Sequence, residues 1–159
     1  MKINENQVFP KTEFYIISDS GPVSVKSSDL FNKTKVLLIG VPGAFTPTCN
    51  DEHLPGFFKL SDDFEKKGIE SIYIVSNNDP FVMKSWGESL GNDKFLFISD
   101  GNGTFRELSG LETDLSVVGL GKRLSRFVIY IENENIKKIF NENGPGLEVS
   151  KAENVLKSL

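Results

Sequence analysis

The chain has 159 residues, 38% apolar side chains, a net charge of −4 and a single cysteine. This length suits one domain with a real apolar core, and an acidic balance without a dense lysine or arginine run argues against nucleic acid or anionic lipid as a partner. One cysteine excludes an intramolecular disulfide, and no apolar run reaches the roughly 20 residues that span a bilayer. We therefore expect one domain over residues 1–159, in the cytoplasm or, after removal of a transit peptide, in a plastid or mitochondrial matrix.

The first predicted elements are strands. Residues 12–18 and 22–28 are rich in β-branched and aromatic side chains and flank a turn at 19–21, which indicates a hairpin. Residues 34–43, "TKVLLIGVPG", contain a continuous apolar run that is too short for a helix of normal length. Such a run is typical of a central strand covered on both faces.

Helices and strands alternate after this point. The spacing of Phe57, Leu60 and Phe64 predicts a helix. The remaining predicted elements are a strand over 69–77, a helix capped by Asp79, begun by Pro80 and ended by Gly91, a strand over 94–99 with a turn at 100–103, helical turns over 104–110, two strands within 126–140 joined at Asn133–Asn135, and an amphipathic helix over 150–159. This order predicts an α/β fold with a mixed central sheet flanked by helices.

The only cysteine lies in "VPGAFTPTC", between the predicted central strand and the next helix, where open α/β folds place ligand sites. If that helix begins near Thr48 or Cys49, its free N–H groups and positive dipole end favour a thiolate and make Cys49 a candidate nucleophile. Thr46 can hydrogen-bond to the sulfur or to an incoming oxygen, while Pro42 and Pro47 stiffen the turn. The alternative is a small buried hydrophobic cysteine, against which its polar neighbours count.

The segment "VPGAFTPTCNDEHLPGF" resembles the active-site segment of the peroxiredoxins, and specifically of the atypical type II or peroxiredoxin-5 subfamily. The segments "NDPFVMKSWG", "FLFISDGNGTF", "KRLSRFVIYI" and "GPGLEVSKAENVL" follow in the family's order, so the resemblance covers nearly the whole chain. It implies a thioredoxin-like fold, a homodimer, and a thiol-dependent peroxidase that acts on hydrogen peroxide and alkyl hydroperoxides. No metal or other cofactor is expected, because sulfur itself carries the two-electron change.

The resemblance also implies roles for individual residues. Cys49 takes the role of the peroxidatic cysteine, Thr46 orients the peroxide and Pro42 shields the site. Arg126 matches the family's active-site arginine, which stabilises the thiolate and the charge that develops on the peroxide oxygens. Without the resemblance, an arginine that begins an apolar strand is more often a solvated edge charge. Arg123 is a weaker candidate for a supporting role.

The apolar segment 114–121, "DLSVVGLG", aligns with a family region that lines the peroxide pocket and contributes to the dimer contact. The resemblance therefore implies that Leu115 and Val118, together with Thr48, wall the substrate pocket. Gly119 stands where some relatives have phenylalanine, which leaves the width of the pocket open.

Many relatives carry a resolving cysteine in a Gly-Leu-x-Cys-Ser segment, and Val149 stands at that position in this chain. The resemblance then implies a one-cysteine cycle in which Cys49 becomes a sulfenic acid and an external thiol reduces it. Glutathione, relayed by glutaredoxin, is the expected reductant, and thioredoxin is the alternative.

Other interpretations stay open at this point. A redox sensor or adaptor could relay oxidation from Cys49 to a partner protein, and a thioredoxin-like binding module could carry an inert thiol. His53 follows Cys49 by four residues and could act as a base, although a structural or interface role is more common for such a histidine. Trp86, at helical spacing from Val82, is expected in the core or an interface.

Overall fold

The computed structural model describes residues 1–159 and contains a seven-stranded sheet and a separate two-stranded sheet. The strands are β1 (Glu13–Ser18), β2 (Gly21–Lys26), β3 (Val36–Gly40), β4 (Ser71–Ser76), β5 (Phe95–Ser99), β6 (Glu112–Leu115), β7 (Gly121–Leu124), β8 (Phe127–Glu132) and β9 (Asn135–Asn141). The helices are α1 (Ser27–Phe31), α2 (Leu54–Lys59), α3 (Ser61–Lys66), α4 (Pro80–Leu90), α5 (Thr104–Ser109) and α6 (Ala152–Lys157), with a π-helical turn at Cys49–His53 and a 3₁₀ turn at Ser116–Val118. None of these helices is both long and apolar enough to cross a membrane.

The large sheet has the order β2-β1-β5-β4-β3-β8-β9. Its central strands β3, β4 and β5 are parallel, whereas β1, β8 and β9 pair in antiparallel fashion with their neighbours. The sheet is therefore mixed, and the flanking helices make the thioredoxin-like α/β fold that the sequence predicts. All five residues of β3 are buried, as expected for a continuous apolar run in a central strand.

The side chains of β3 alternate between the two faces of the sheet and pack into two separate apolar cores. Leu37 and Ile39 pack on one face of the sheet with side chains from α2, α3, α4 and α6, and Trp86 of α4 is fully buried there. Val36 and Leu38 pack on the other face with aromatic side chains from α1 and α5. Trp86 thus lies in the core, which confirms one of the two predicted locations.

Local signals locate two elements closely. The Asp79 carboxylate accepts a hydrogen bond from Val82 N, Pro80 begins α4, and Gly91 ends it with a φ of 66°. The β8–β9 hairpin turns through Asn133 and Glu134, both of which have positive φ. Two left-handed residues in a two-residue turn match the twist of antiparallel strands.

Two predicted elements have different bounds in the structure, and one hairpin was not predicted. Strand β2 ends at Lys26 because Ser27 turns the chain into α1, with the Ser27 hydroxyl donating to Pro10 O and accepting from Thr12 N. The helix predicted from Phe57 to Phe64 breaks at Leu60 into α2 and α3. The hairpin of β6 and β7 was not predicted, because its short half-exposed strands carry little apolar alternation.

Replacing Gly40 by alanine should destabilise the fold. A Cβ at Gly40 would lie 1.9 Å from Cε2 of the buried Phe127 ring, so β3 or β8 must shift. We expect Gly40→Ala to lower the free energy of unfolding in urea by about 1–3 kcal/mol. Gly56→Ala is the matched control, because its Cβ would meet only Ala152 at an ordinary 3.5 Å and it lies inside α2. Equal stability of the two variants would contradict the close approach of Gly40 and Phe127.

Candidate functional site

A short loop joins the end of β3 to the helix that contains Cys49. Val41 N still donates to Val75 O at 3.0 Å, and Pro42 then ends the ladder because proline has no N–H. Phe45 adopts a left-handed φ of 62°, which is uncommon for a residue with a bulky side chain. The Thr46 hydroxyl donates to Gly43 O at 2.7 Å and closes the loop.

Cys49 lies in the first turn of this helix. Asn50 N donates to Thr46 O at 2.9 Å, the chain continues as the π-helical turn Cys49–His53, and α2 follows without a break. The wider turn is a local irregularity of a kind that is frequent at functional sites. The Cys49 side chain has no solvent exposure.

Arg126, the residue before β8, is turned toward this sulfur. Its Nη1 donates to Cys49 Sγ at 3.1 Å and lies 3.5 Å from His53 Nδ1. The buried Nε of Arg126 has no hydrogen-bond partner. The guanidinium is therefore an inward-facing cation at the sulfur and not a solvated charge at the edge of the sheet.

His53 is buried between Arg126 and the C-terminal segment. Its Nε2 lies 3.1 Å from Ser150 O, so a proton on Nε2 leaves Nδ1 free to face the guanidinium. Burial, and then the charge of Arg126, lower the pKa of His53 from 6.5 to about 3. An imidazole with this pKa stays neutral at physiological pH and contacts Arg126 and Ser150, so the arrangement does not support the base role left open for it.

Glu142 fixes the segment that contains Val149. Its Oε2 accepts hydrogen bonds from Glu148 N, Ser150 N and Ser150 Oγ at 2.9, 2.8 and 2.7 Å. Burial alone would raise the pKa of Glu142, but these hydrogen bonds outweigh it and lower the pKa. Ser150 O is thereby held against His53, while Val149 is 42% exposed.

A cavity of about 680 Å³ opens above Arg126. The predicted site residues on its wall are Pro42, Thr46, Thr48, Leu115 and Arg126. Cys49 lies behind this wall, in contact with Arg126. Val118 is elsewhere: it is 67% exposed on the 3₁₀ turn and does not line the cavity, so in this chain alone it is not a pocket wall.

Several supporting contacts were not predicted from the sequence. Asn78 Oδ1 accepts from Ala44 N at 2.8 Å, and Asn77 Oδ1 accepts from Leu124 N at 2.7 Å. Arg123 donates from Nη1 to Pro42 O at 3.0 Å, which agrees with the supporting role considered for it. The available signal was a pair of asparagines at the carboxyl end of a buried strand, where ligand sites of open α/β folds lie.

This geometry suits nucleophilic chemistry on a small molecule. The guanidinium is a permanently charged donor next to the sulfur, and it can also stabilise negative charge that develops on a bound oxygen. Because the Thr46 hydrogen is already donated to Gly43 O, the Thr46 oxygen offers its lone pairs to a donor in the cavity.

Comparisons with known proteins agree in their outcome. A Redoxin family model matches residues 4–156. Peroxiredoxin-2D of Arabidopsis thaliana is 47% identical over 126 residues, which cover 79% of this chain and 78% of the relative. The structure of reduced Prx3 from Vibrio vulnificus in complex with H2O2 has a TM-score of 0.93 at 38% identity and covers 98% of each chain. The Plasmodium falciparum antioxidant protein, a 1-Cys peroxiredoxin, has a TM-score of 0.90 at 34% identity, again with 98% of each chain covered.

Acid should destabilise the protein through His53. The folded state keeps His53 neutral down to about pH 3, whereas the unfolded chain binds a proton below about pH 6.5. The contribution of neutral His53 is therefore complete above pH 6.5 and falls by up to about 1.4 kcal/mol per pH unit as the pH drops from 6.5 toward 3. Urea unfolding at a series of pH values from about 7 to about 5, above the range in which most carboxylates titrate, measures this slope.

His53→Gln is the matched control for that slope. Glutamine stays neutral at every pH and keeps an N–H donor for Ser150 O. The variant should lose less stability than the unmodified protein over the same pH range, whatever its absolute stability. Identical slopes would contradict a depressed pKa of His53.

Proposed function

Since the chain belongs to the peroxiredoxins of the atypical type II or peroxiredoxin-5 subfamily, which are thiol-dependent peroxidases, we propose that Cys49 is its peroxidatic cysteine and that hydrogen peroxide and small alkyl hydroperoxides are its substrates. The observation that carries this proposal is the contact of 3.1 Å between Arg126 Nη1 and Cys49 Sγ. A permanently charged donor at that distance favours the thiolate, which is the nucleophilic form of cysteine. Residues 1–159 act as one domain in this proposal.

In the first step, the thiolate attacks the terminal oxygen of the hydroperoxide. An S–O bond forms and the O–O bond breaks, so the sulfur is oxidised by two electrons to a sulfenic acid. The other oxygen leaves as hydroxide or alkoxide and takes up a proton to become water or an alcohol. Arg126 stabilises the charge that develops on these two oxygens.

The residues on the cavity wall orient the peroxide. Thr46 accepts a hydrogen bond from the peroxide O–H, because its own hydrogen is held by Gly43 O. Pro42 shields the sulfur from bulk water, and Thr48 and Leu115 bound the space for the leaving group. The cavity of about 680 Å³ has room for alkyl groups as well as for hydrogen peroxide.

The second half of the cycle uses an external thiol. Cys49 is the only cysteine of the chain, and Val149 stands at the position of the resolving cysteine, so the sulfenic acid condenses with a small thiol and releases water. Glutathione is the proposed thiol, with glutaredoxin resolving the mixed disulfide by thiol exchange. This requires a reducing compartment, such as the cytoplasm or an organelle matrix.

A homodimer is part of the proposal. Phe45, Phe81 and Val118 are apolar side chains that are exposed by 52, 61 and 67%. A second copy of the chain that covers them would remove this apolar area from water.

Removing the guanidinium should slow the reaction with peroxide. Trp86 is the only tryptophan, and its Nε1 donates to Asn50 Oδ1 at 2.8 Å next to Cys49, so stopped-flow fluorescence follows oxidation of the sulfur. We expect Arg126→Gln to lower the second-order rate constant for hydrogen peroxide by roughly 10²–10³-fold. Arg126→Lys should recover part of this loss, because it keeps the charge without the planar fork.

Two further variants control this experiment. Cys49→Ser should abolish the fluorescence change. Lys84→Gln removes a cation from the exposed face of α4, where it pairs with Glu88, and should react at the unmodified rate. An Arg126→Gln variant that reacts as fast as the unmodified protein would rule out the proposed role of the guanidinium.

Glutathione should form a mixed disulfide with oxidised Cys49. After one equivalent of peroxide, intact mass spectrometry should find one added glutathione per chain, none on Cys49→Ser, and loss of the adduct after addition of glutaredoxin. Steady-state turnover with glutathione and glutaredoxin should exceed turnover with thioredoxin and its reductase. Faster turnover with thioredoxin would assign the alternative reductant.

A further inference from the structure

Two consecutive asparagines at the carboxyl end of β4 bind the two halves of the site. Asn78 Oδ1 accepts from Ala44 N in the loop that leads to Cys49. Asn77 Oδ1 accepts from Leu124 N, two residues before Arg126. The two side chains point to different segments, so one dipeptide contacts both halves of the site.

The asparagines are themselves held firmly. The Ser99 hydroxyl donates to Asn78 O at 2.6 Å, and Asn77 Nδ2 donates to Asp100 O and Asp100 Oδ2 at 2.7 and 2.9 Å. The Asp100 carboxylate is fixed in turn by the N–H groups of Phe105 and Arg106. Residues at the end of β5 and the start of α5 therefore hold Asn77 and Asn78 in place through hydrogen bonds.

The hydrogen bond from Ala44 N to Asn78 holds a loop that contains a residue in the left-handed conformation. Ala44 precedes Phe45, whose left-handed φ of 62° persists only if the surrounding contacts determine the loop. The loop is held by Asn78 at Ala44 N and by the Thr46 hydroxyl at Gly43 O. Loss of the Asn78 bond leaves the buried side of the loop with an unpaired N–H and frees the backbone before Cys49.

We propose that Asn78 and Asn77 are positioning residues that set the distance between Cys49 and Arg126. The proposal rests on the proposed peroxidase function and adds residues that touch neither the sulfur nor the peroxide. Both residues act through the backbone: Asn78 places the cysteine loop, and Asn77 places the end of β7, two residues before Arg126. Arg123 adds a direct bond between the same two segments through Pro42 O.

The first test needs no peroxide. We expect the Ala44 amide to exchange its hydrogen faster in Asn78→Ala than in the unmodified protein, as measured by NMR, while Asn78→Asp restores the protection because its carboxylate keeps the acceptor. Asn92→Ala is the matched control: it removes an asparagine whose Oδ1 accepts Lys94 N at 3.1 Å in another turn, and it should leave Ala44 unaffected. Unchanged exchange at Ala44 in Asn78→Ala, or no restoration by Asn78→Asp, would overturn the proposal.

The second test separates positioning from general damage. Asn78→Ala should lower the second-order rate constant for hydrogen peroxide by about tenfold or more, since small misplacements of reacting groups are costly. In an Arg126→Gln background the same substitution should cost less than about threefold, because there is no guanidinium left to align. Equal losses in the two backgrounds would show that Asn78 does not act through the Arg126–Cys49 pair and would overturn the proposal.

The two tests also distinguish failure of this inference from failure of the proposed function. If the unmodified protein shows no rapid Cys49-dependent reaction with peroxide, the proposed function fails, and amide exchange alone decides whether Asn78 holds the loop. If the unmodified protein reacts rapidly and Asn78→Ala reacts equally rapidly, the function stands and the positioning role is wrong.

Discussion

The site depends on one buried contact, the hydrogen bond from the Arg126 guanidinium to the Cys49 sulfur. Charges are costly to remove from water unless a partner compensates for the lost hydration. The sulfur has no solvent exposure, and the buried Nε of Arg126 has no hydrogen-bond partner. Because His53 is neutral, the sulfur is the group that accepts a hydrogen bond from Nη1 of the charged guanidinium. The hydrogen bond to the sulfur therefore compensates for part of the hydration that the buried guanidinium has lost.

The central sheet explains why these two residues meet. Strand β3 pairs with β8 in antiparallel fashion, and Gly40 lies opposite Phe127. The end of one strand and the start of the other consequently share one edge of the sheet, which puts the loop after Gly40 beside Arg126. Parallel strand β4 ends at the same edge on the other side of β3, and its asparagines reach both segments. The absence of a side chain at Gly40 lets the Phe127 ring lie against β3 and keeps these strands in register.

The features that the sequence predicts well are those with local causes. The buried run of β3, the Asp79 cap with Pro80 and Gly91, and the turn at Asn133 all follow from neighbouring residues. The features that were missed arise from contacts between distant parts of the chain. Helix α1 depends on the packing of its side chains under the sheet, and the β6–β7 hairpin is positioned by Asn77 from 47 residues away.

The same distinction holds for the site. Cys49, Thr46 and Pro42 stand together in one short segment whose pattern can be interpreted from the sequence. Arg126 is 77 residues from Cys49, and the residues alone favoured a solvated role for it, so only the resemblance to a family placed it at the sulfur. No local pattern indicated that His53 would lose its basicity, because burial in the folded chain and the charge of Arg126, 73 residues away, lower its pKa.

Burial of the Cys49 sulfur also limits the size of the molecules that can contact it. A small hydroperoxide fits in the cavity between Thr46 and Arg126, whereas a folded protein is too large to enter it. A thiol carried by a protein cannot contact a sulfur that has no solvent exposure while the π-helical turn Cys49–His53 keeps this conformation. The packing that buries the sulfur beside Arg126 thus also discriminates by size between the molecules that could contact it.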